Sequence, residues 1–149
     1  MAEIQTAYND LPPIAFPGML VNGEAHRSIS RTCEDAAGIA FGKFVFRGAA
    51  DHGATATPTA NKVLGVVIAD HGKAFGLNSV ADVHAQYGSM SIATTEPIAV
   101  TVGATVVQGD PVYVTSAGAI TNVSTSNVAT GWNFDTSASS GGLAVVVKR

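Results

Sequence analysis

QGDPVYVTSAGAITN, residues 108–122, carries the pattern on which the reading of the fold rests. Gly109-Asp110 opens a turn, and Val112 and Val114 then alternate with Tyr113 and Thr115. Ser116-Ala117-Gly118 turns the chain again, and Ala119-Ile120-Thr121 starts back. Alternation with a period of two puts successive side chains on opposite faces of a strand, so the stretch reads as a β-hairpin. It holds no reactive group that stands out.

The same design recurs along the chain. GIAFGKFVFRG (38–48) places Ile39, Phe41, Lys43, Val45 and Arg47 on one face and Ala40, Gly42, Phe44 and Phe46 on the other. KVLGVVIAD (62–70) is apolar on both faces and too short for a typical helix, which predicts a strand buried on both sides. SMSIATTEPIAVTV (89–102) is interrupted by Pro97, which cannot donate to a ladder, so an edge, bulge or break belongs there. VATGWNFD (128–135) aligns Val128, Trp132 and Phe134, and the closing GGLAVVVKR alternates Leu143, Val145 and Val147 with Ala144 and Val146. Turn signals fall about every ten residues, at Asp51-His52-Gly53, Asp70-His71-Gly72, Gly109-Asp110, Ala117-Gly118 and Gly141-Gly142. Short strands at that spacing predict a mainly β protein, a small antiparallel β-sandwich or barrel, with at most one short helix. The helix candidate is NSVADVHAQYG (78–88), with Ser79 as cap, Val80, Val83 and Tyr87 at helical spacing and Gly88 as stop. Residues 51–61 and 122–127 read as loops.

A chain of 149 residues is long enough for one domain with a sizeable core. Charged residues make up 13% of it, against about 25% in ordinary soluble domains. Interface cores are depleted of charge, so the shortage points to a surface covered by copies of the chain or by a larger partner. The net charge is −3 and the eight basic residues form no run, which argues against nucleic-acid binding. Cys33 is the single cysteine, which excludes an intrachain disulfide and reads as a small buried or half-buried side chain. MAEIQTAYND lacks the apolar run of a signal peptide, and no stretch approaches the ~18–20 apolar residues of a membrane span. The expectation is a chain made in a cytoplasm, or assembled there into something larger, without a membrane partner.

Residues 1–37 differ from the rest. Three of the six prolines, Pro12, Pro13 and Pro17, stand close together there and disfavour both helix and central strand. Leu11, Ile14, Phe16, Met19, Leu20 and Val21 are more apolar than a disordered tail allows. An extended N-terminal arm over 1–37 followed by a β body over 38–149 explains both facts. The arm lies either on another surface or back over its own core.

Few groups suggest chemistry. Asp51-His52 and Asp70-His71 form a repeated pair that could supply carboxylate and imidazole to a metal, but adjacent residues of an extended chain point to opposite sides. A metal-dependent enzyme built on these pairs is therefore a minor reading. His26 and His84 are isolated and read as surface or loop residues. GIAFGKF fails as a phosphate loop, because its glycines are four apart and Phe44 stands where Ser or Thr must hold magnesium. No GxG, GxSxG or HExxH occurs. No catalytic residue, cofactor or small-molecule substrate is assigned. Trp132 and Phe134 fit core anchors better than a stacking platform. The alternative function is a small β-barrel module for carbohydrate or another ligand, built on Trp132 and Tyr113 with Asn133 and Asp135 beside them.

Taken in order, PPIAFPGM, GIAFGKFVFRG, KVLGVVIA, EPIAVTVGATVVQGDPVYVTSAGAIT and TGWNFDTSASSGGLAVVVKR resemble the structural cement, or capsid decoration, proteins of tailed bacteriophages. The matching features are Phe41-Gly42, the hairpin Gly109-Asp110-Pro111-Val112-Tyr113-Val114, and Gly131-Trp132 before a Gly-rich turn and a closing apolar strand. The resemblance runs from about residue 12 to the end, and the order of the elements carries it. It implies a β-tulip-like knob on the outer surface of a phage head, without enzymatic activity. It implies a chain that bridges major capsid protein subunits and sits there as an oligomer, commonly a homotrimer. The arm residues Leu11, Pro12, Pro13, Ile14, Phe16, Pro17, Met19 and Leu20 are the contact segment it suggests, with the shell or with a sister copy as the surface met.

Overall fold

A computed structural model describes residue 14 and residues 16–22, 24–72 and 80–149. Twelve strands and no helix are found among them. In chain order they are β1 (Ser28–Cys33), β2 (Ile39–Ala40), β3 (Phe44–Arg47), β4 (Gly53–Thr55), β5 (Val63–Val67), β6 (Val83–His84), β7 (Ser89–Ala93), β8 (Ile98–Thr101), β9 (Pro111–Val114), β10 (Ile120–Thr121), β11 (Val128–Phe134) and β12 (Leu143–Val147).

The first half closes on itself. Strands β1-β4-β3-β5-β7 form a barrel, sealed by an antiparallel β1–β7 ladder that runs from Ser28↔Ala93 to Thr32↔Ser89. The β1–β4 pair is parallel, and the other barrel pairs are antiparallel. The second half is a five-stranded antiparallel sheet in the order β10-β9-β11-β12-β8. Its two edges approach each other, since Val102 just past β8 bridges Ile120 of β10 and the Gly103 N–H donates to the Ile120 carbonyl at 2.7 Å. The hairpin at 108–122 is β9 and β10, paired Ile120↔Val114 and Thr121↔Tyr113. The small β2–β6 ribbon forms a separate two-stranded sheet, and Ile39 of β2 packs with buried residues of the barrel.

Two apolar clusters explain the patterning. One fills the barrel with Cys33, Val45, Ala54, Val67, Met90 and Ile92. The other joins Phe44, Phe46 and Val66 of the barrel wall to Val100, Val112, Val114, Trp132, Phe134 and Val146 of the sheet. Strands β3 and β5 therefore bury both faces, as the doubly apolar KVLGVVIA run requires. Pro97 marks the break between barrel strand β7 and sheet strand β8. Glu96 beside it is buried, and its Oε2 accepts the Thr94 and Thr95 N–H groups at 2.8 and 2.9 Å. In β11 the register shifts at Gly131, whose φ is +77°, and the Thr130 hydroxyl donates to the Val112 carbonyl at 2.8 Å across the irregularity.

Several expectations are corrected. Residues 80–88 are not helical: Asp82 and Tyr87 have φ of +60° and +64°, which no α-helix accommodates, and Val83–His84 pairs with β2. Positions 78 and 79 lie outside the described residues. The single strand expected at 38–48 is two, because Gly42 turns the chain with φ of +72° between β2 and β3. The loop expected at 51–61 contains β4, which wedges between β1 and β3. Within the arm expected over 1–37, residues 28–33 are β1, so the barrel begins before residue 38. His84 is buried at 1% exposure rather than on the surface.

Candidate contact surface

The N-terminal segment reaches the body through a short run of backbone. Gly18 N–H donates to the Ala99 carbonyl at 2.7 Å, Ala99 N–H to Met19 at 2.9 Å, and Val21 N–H to Pro97 at 2.9 Å. Leu20 bridges Ile98 in antiparallel fashion and packs against the sheet core. This run covers the outer edge of β8, an edge that would otherwise be open to pairing. A second tie comes from the Ala69 N–H, which donates to the Gly18 carbonyl at 3.0 Å. Gly18 is thus held between barrel and sheet with φ of +80°, and a Cβ there would lie 2.8 Å from the Ala69 nitrogen. Only glycine fits that crossing. Further along, Arg149 clasps Glu24 at 2.6 Å and Asp135 at 3.0 Å. The Glu24 carboxylate first, and Asp135 second, hold the Arg149 guanidinium above the usual arginine range.

Upstream of Gly18 the segment meets an aromatic cluster. Pro17 lies against Gly42, where a Cβ would come within 2.7 Å of the proline Cβ. Phe16 stands edge-on to His71 with centroids 4.7 Å apart, and Phe41 meets the same imidazole at 5.5 Å. Phe41 also contacts His84 at 5.0 Å. The His71 Nε2 lies 3.4 Å from the Asp82 carboxylate. Phe16, Pro17, Ala40, Phe41, His71 and Asp82 enclose a shallow cavity of about 150 Å³. A neighbouring hollow of about 270 Å³ is lined by Pro17, Ala40, Phe41, Gly42, Lys43 and Thr101. Both are partly open and largely apolar.

Of the residues expected at the contact, Leu11, Pro12 and Pro13 lie outside the described residues. Ile14, Phe16, Pro17, Met19 and Leu20 are half-buried. The structure gathers Phe16 and Pro17 on the aromatic cluster and sets Met19 and Leu20 on β8. Sequence reasoning missed the partners on the body, His71 and Phe41. The His71 of the repeated Asp-His pair supplied a signal, but an aromatic seat for it is a matter of three-dimensional proximity.

The other candidates resolve simply. His52 is exposed in the β3–β4 turn, while His71 serves the aromatic cluster. No group of three or more metal-ligating side chains gathers among the described residues. Trp132 is 2% exposed and meets Phe44 edge-on at 5.7 Å, so it is a core anchor and cannot be a ligand platform. Asn133 donates to the Gly109 carbonyl at 3.3 Å, and Asp135 is engaged by Arg149. Cys33 is buried, and its Sγ contacts the Asp35 carbonyl at 3.7 Å.

Comparison with known proteins completes the picture. The model of the family described as structural cement protein matches residues 4–148. No curated protein sequence matches the chain. Among solved structures, a chain from the capsid of Myoviridae phage XM1 has the same fold, with a TM-score of 0.69 at 16% identity. The likeness covers 99% of this chain and 97% of that one.

Proposed function

The chain belongs to the structural cement protein family, and on that premise we propose that it binds the outer surface of a phage head and ties neighbouring major capsid protein subunits together. It acts as a homotrimer and by adhesion alone, with no catalysis, metal, cofactor, small-molecule substrate, nucleic acid or membrane involved. The contact segment is Leu11, Pro12, Pro13, Ile14, Phe16, Pro17, Met19 and Leu20. The observation that carries this reading is the family match over residues 4–148.

The geometry supports a division of labour within the segment. Residues 18–21 are bonded to β8 and fix the root, while Phe16 and Pro17 stand upstream of it beside the open hollows. Leu20 therefore contributes by holding the root, and the run from Leu11 to Pro17 is offered to the neighbour. A contact burying ~1,600 Å² in total has the size of a stable association. Area alone does not set affinity, but repetition over a lattice multiplies it through effective concentration.

Removing residues 2–15 tests the assignment without uncovering the β8 edge, because Gly18–Val21 stay in place. The truncated protein is expected to keep the thermal transition of the full chain and to lose most of its binding to expanded capsids in a co-sedimentation assay. Undiminished binding would overturn the role of the segment.

A further inference from the structure

Five non-glycine residues among those described have left-handed backbone: Asn22, Asn61, Asp82, Tyr87 and Ser126. Four of them are small and polar, and Asn and Asp are the types that tolerate this region. Tyr87 is the bulky exception, with φ of +64°. It is also 78% exposed, more than any other large apolar side chain described.

The strain is imposed by a tightly tied turn. Tyr87 N–H donates to the Cys33 carbonyl at 2.8 Å, and Cys33 N–H to Gly88 at 2.9 Å. Gly88 N–H donates to Ala85 at 2.9 Å, and the Gln86 amide to the Glu34 carbonyl at 3.1 Å. Only the first of these bonds involves residue 87, and it uses the backbone N–H, so all four would form equally well around glycine or asparagine. Among the described residues the phenol ring makes no ring contact and joins neither core cluster. A strained backbone that holds an aromatic ring out in solvent gains nothing from folding, so its benefit lies outside the molecule. Exposed tyrosine is enriched among the residues that dominate protein–protein binding.

The turn lies close to the seat of the N-terminal segment. Tyr87 and Asp82 bracket β6, and Asp82 pairs with His71 in the seat of Phe16. The Asp82 carbonyl also accepts the Phe41 N–H at 3.0 Å. The β6 ribbon thus joins Tyr87 to the place where the N-terminal segment meets the body. We infer that Tyr87 is an anchor residue of a second contact with the capsid shell protein, inserting its ring into an apolar recess of the subunit that the N-terminal segment also meets. This rests on the cement reading and adds a contact that the segment does not provide.

Three variants, Tyr87→Asn, Tyr87→Gly and Tyr87→Phe, test the inference against expanded capsids, with the wild-type chain alongside. Asn and Gly relieve the backbone, so their melting temperatures should rise by about 2–4 °C. Their capsid affinity should fall about tenfold or more, whereas Phe should stay close to wild type in binding. A thermal gain coupled to an adhesive loss is the expected signature. Wild-type affinity in Tyr87→Asn would overturn the inference and leave the cement reading standing. Failure of the wild-type chain to bind capsids would overturn both. Loss of self-association in Tyr87→Asn, with capsid binding intact, would assign the ring to a sister copy and overturn the shell contact.

Discussion

At Gly65, in the middle of β5, φ is +152° and a Cβ would lie 1.9 Å from the Ala93 carbonyl oxygen. That oxygen belongs to β7, so the glycine permits the close approach that closes the barrel between these strands. Gly118, in the β9–β10 turn, also has positive φ, at +78°, but a Cβ there would meet nothing within 4 Å. Alanine at 118 should therefore cost only the backbone term, about 1 kcal/mol. Alanine at 65 must displace backbone in a packed seam and should cost about 3 kcal/mol or prevent folding. Chemical denaturation of the two variants measures the difference, and equal costs would refute a steric role for Gly65. The sequence carried only a weak trace of this. Glycine within a strand hints at a close approach, but it does not say which carbonyl approaches. Trp132 was legible, because a large ring at strand spacing is worth most when buried. His84 was not: its burial depends on Phe41 and on the pairing of β6 with β2, neither of which is local in sequence.

Among the elements, the β9–β10 hairpin was read most directly, since alternation and turn chemistry lie within one short stretch. Its base carries an additional lock. The Asn122 side-chain amide donates to Asp110 Oδ2 at 2.7 Å, and the Val107 N–H donates to the same oxygen at 3.1 Å. Asn122 first, and Val107 second, hold the Asp110 carboxyl below its ordinary value of 3.8. A carboxyl with a depressed folded pKa contributes stability that is present above 3.8 and is lost as pH falls through the lower folded value. Asn122→Ala should thus be less stable than wild type at neutral pH, with the gap narrowing below pH 3.8. Urea midpoints measured across the acid range check this, and a gap that widens on acidification would reverse the assignment. The stretch at 80–88 shows where local reading fails. Val80, Val83 and Tyr87 have helical spacing, yet Val80 and Tyr87 are exposed and no apolar face forms. Spacing records what a helix could bury, and here the partner strand β2 and two left-handed residues decided otherwise. Strand β4 escaped for a related reason: three residues are too few for a period, and their pairing with β1 and β3 is set from outside.

For the molecule as a whole, the composition suggested one domain, and the core shows how barrel and sheet are made one. Phe44, Phe46, Val66 and Ala93 from the barrel share a cluster with Ile98, Val100, Trp132, Phe134 and Val146 from the sheet. The barrel's own interior is filled by six buried residues of its strands, some of them small, such as Cys33 and Ala54. Gly18 adds a physical link, with its N–H on Ala99 beside β12 and its carbonyl on Ala69 beyond β5. Separating the halves would expose Trp132 and both phenylalanines of β3 at once. Each buried aromatic removed from its partners costs about 3–5 kcal/mol, as much as a domain's margin of stability can bear. The full chain should accordingly unfold in a single transition, as domains of this size usually do. Fragments 24–96 and 97–149, cut at the passage between β7 and β8, should each lack a cooperative melt when expressed alone. Circular dichroism on each fragment decides the matter, and a sharp transition from either one would mean two independent bodies joined by a linker. A single cooperative body also suits the proposed bridging of capsid subunits, because force applied at one contact would be carried to another through the core that barrel and sheet share.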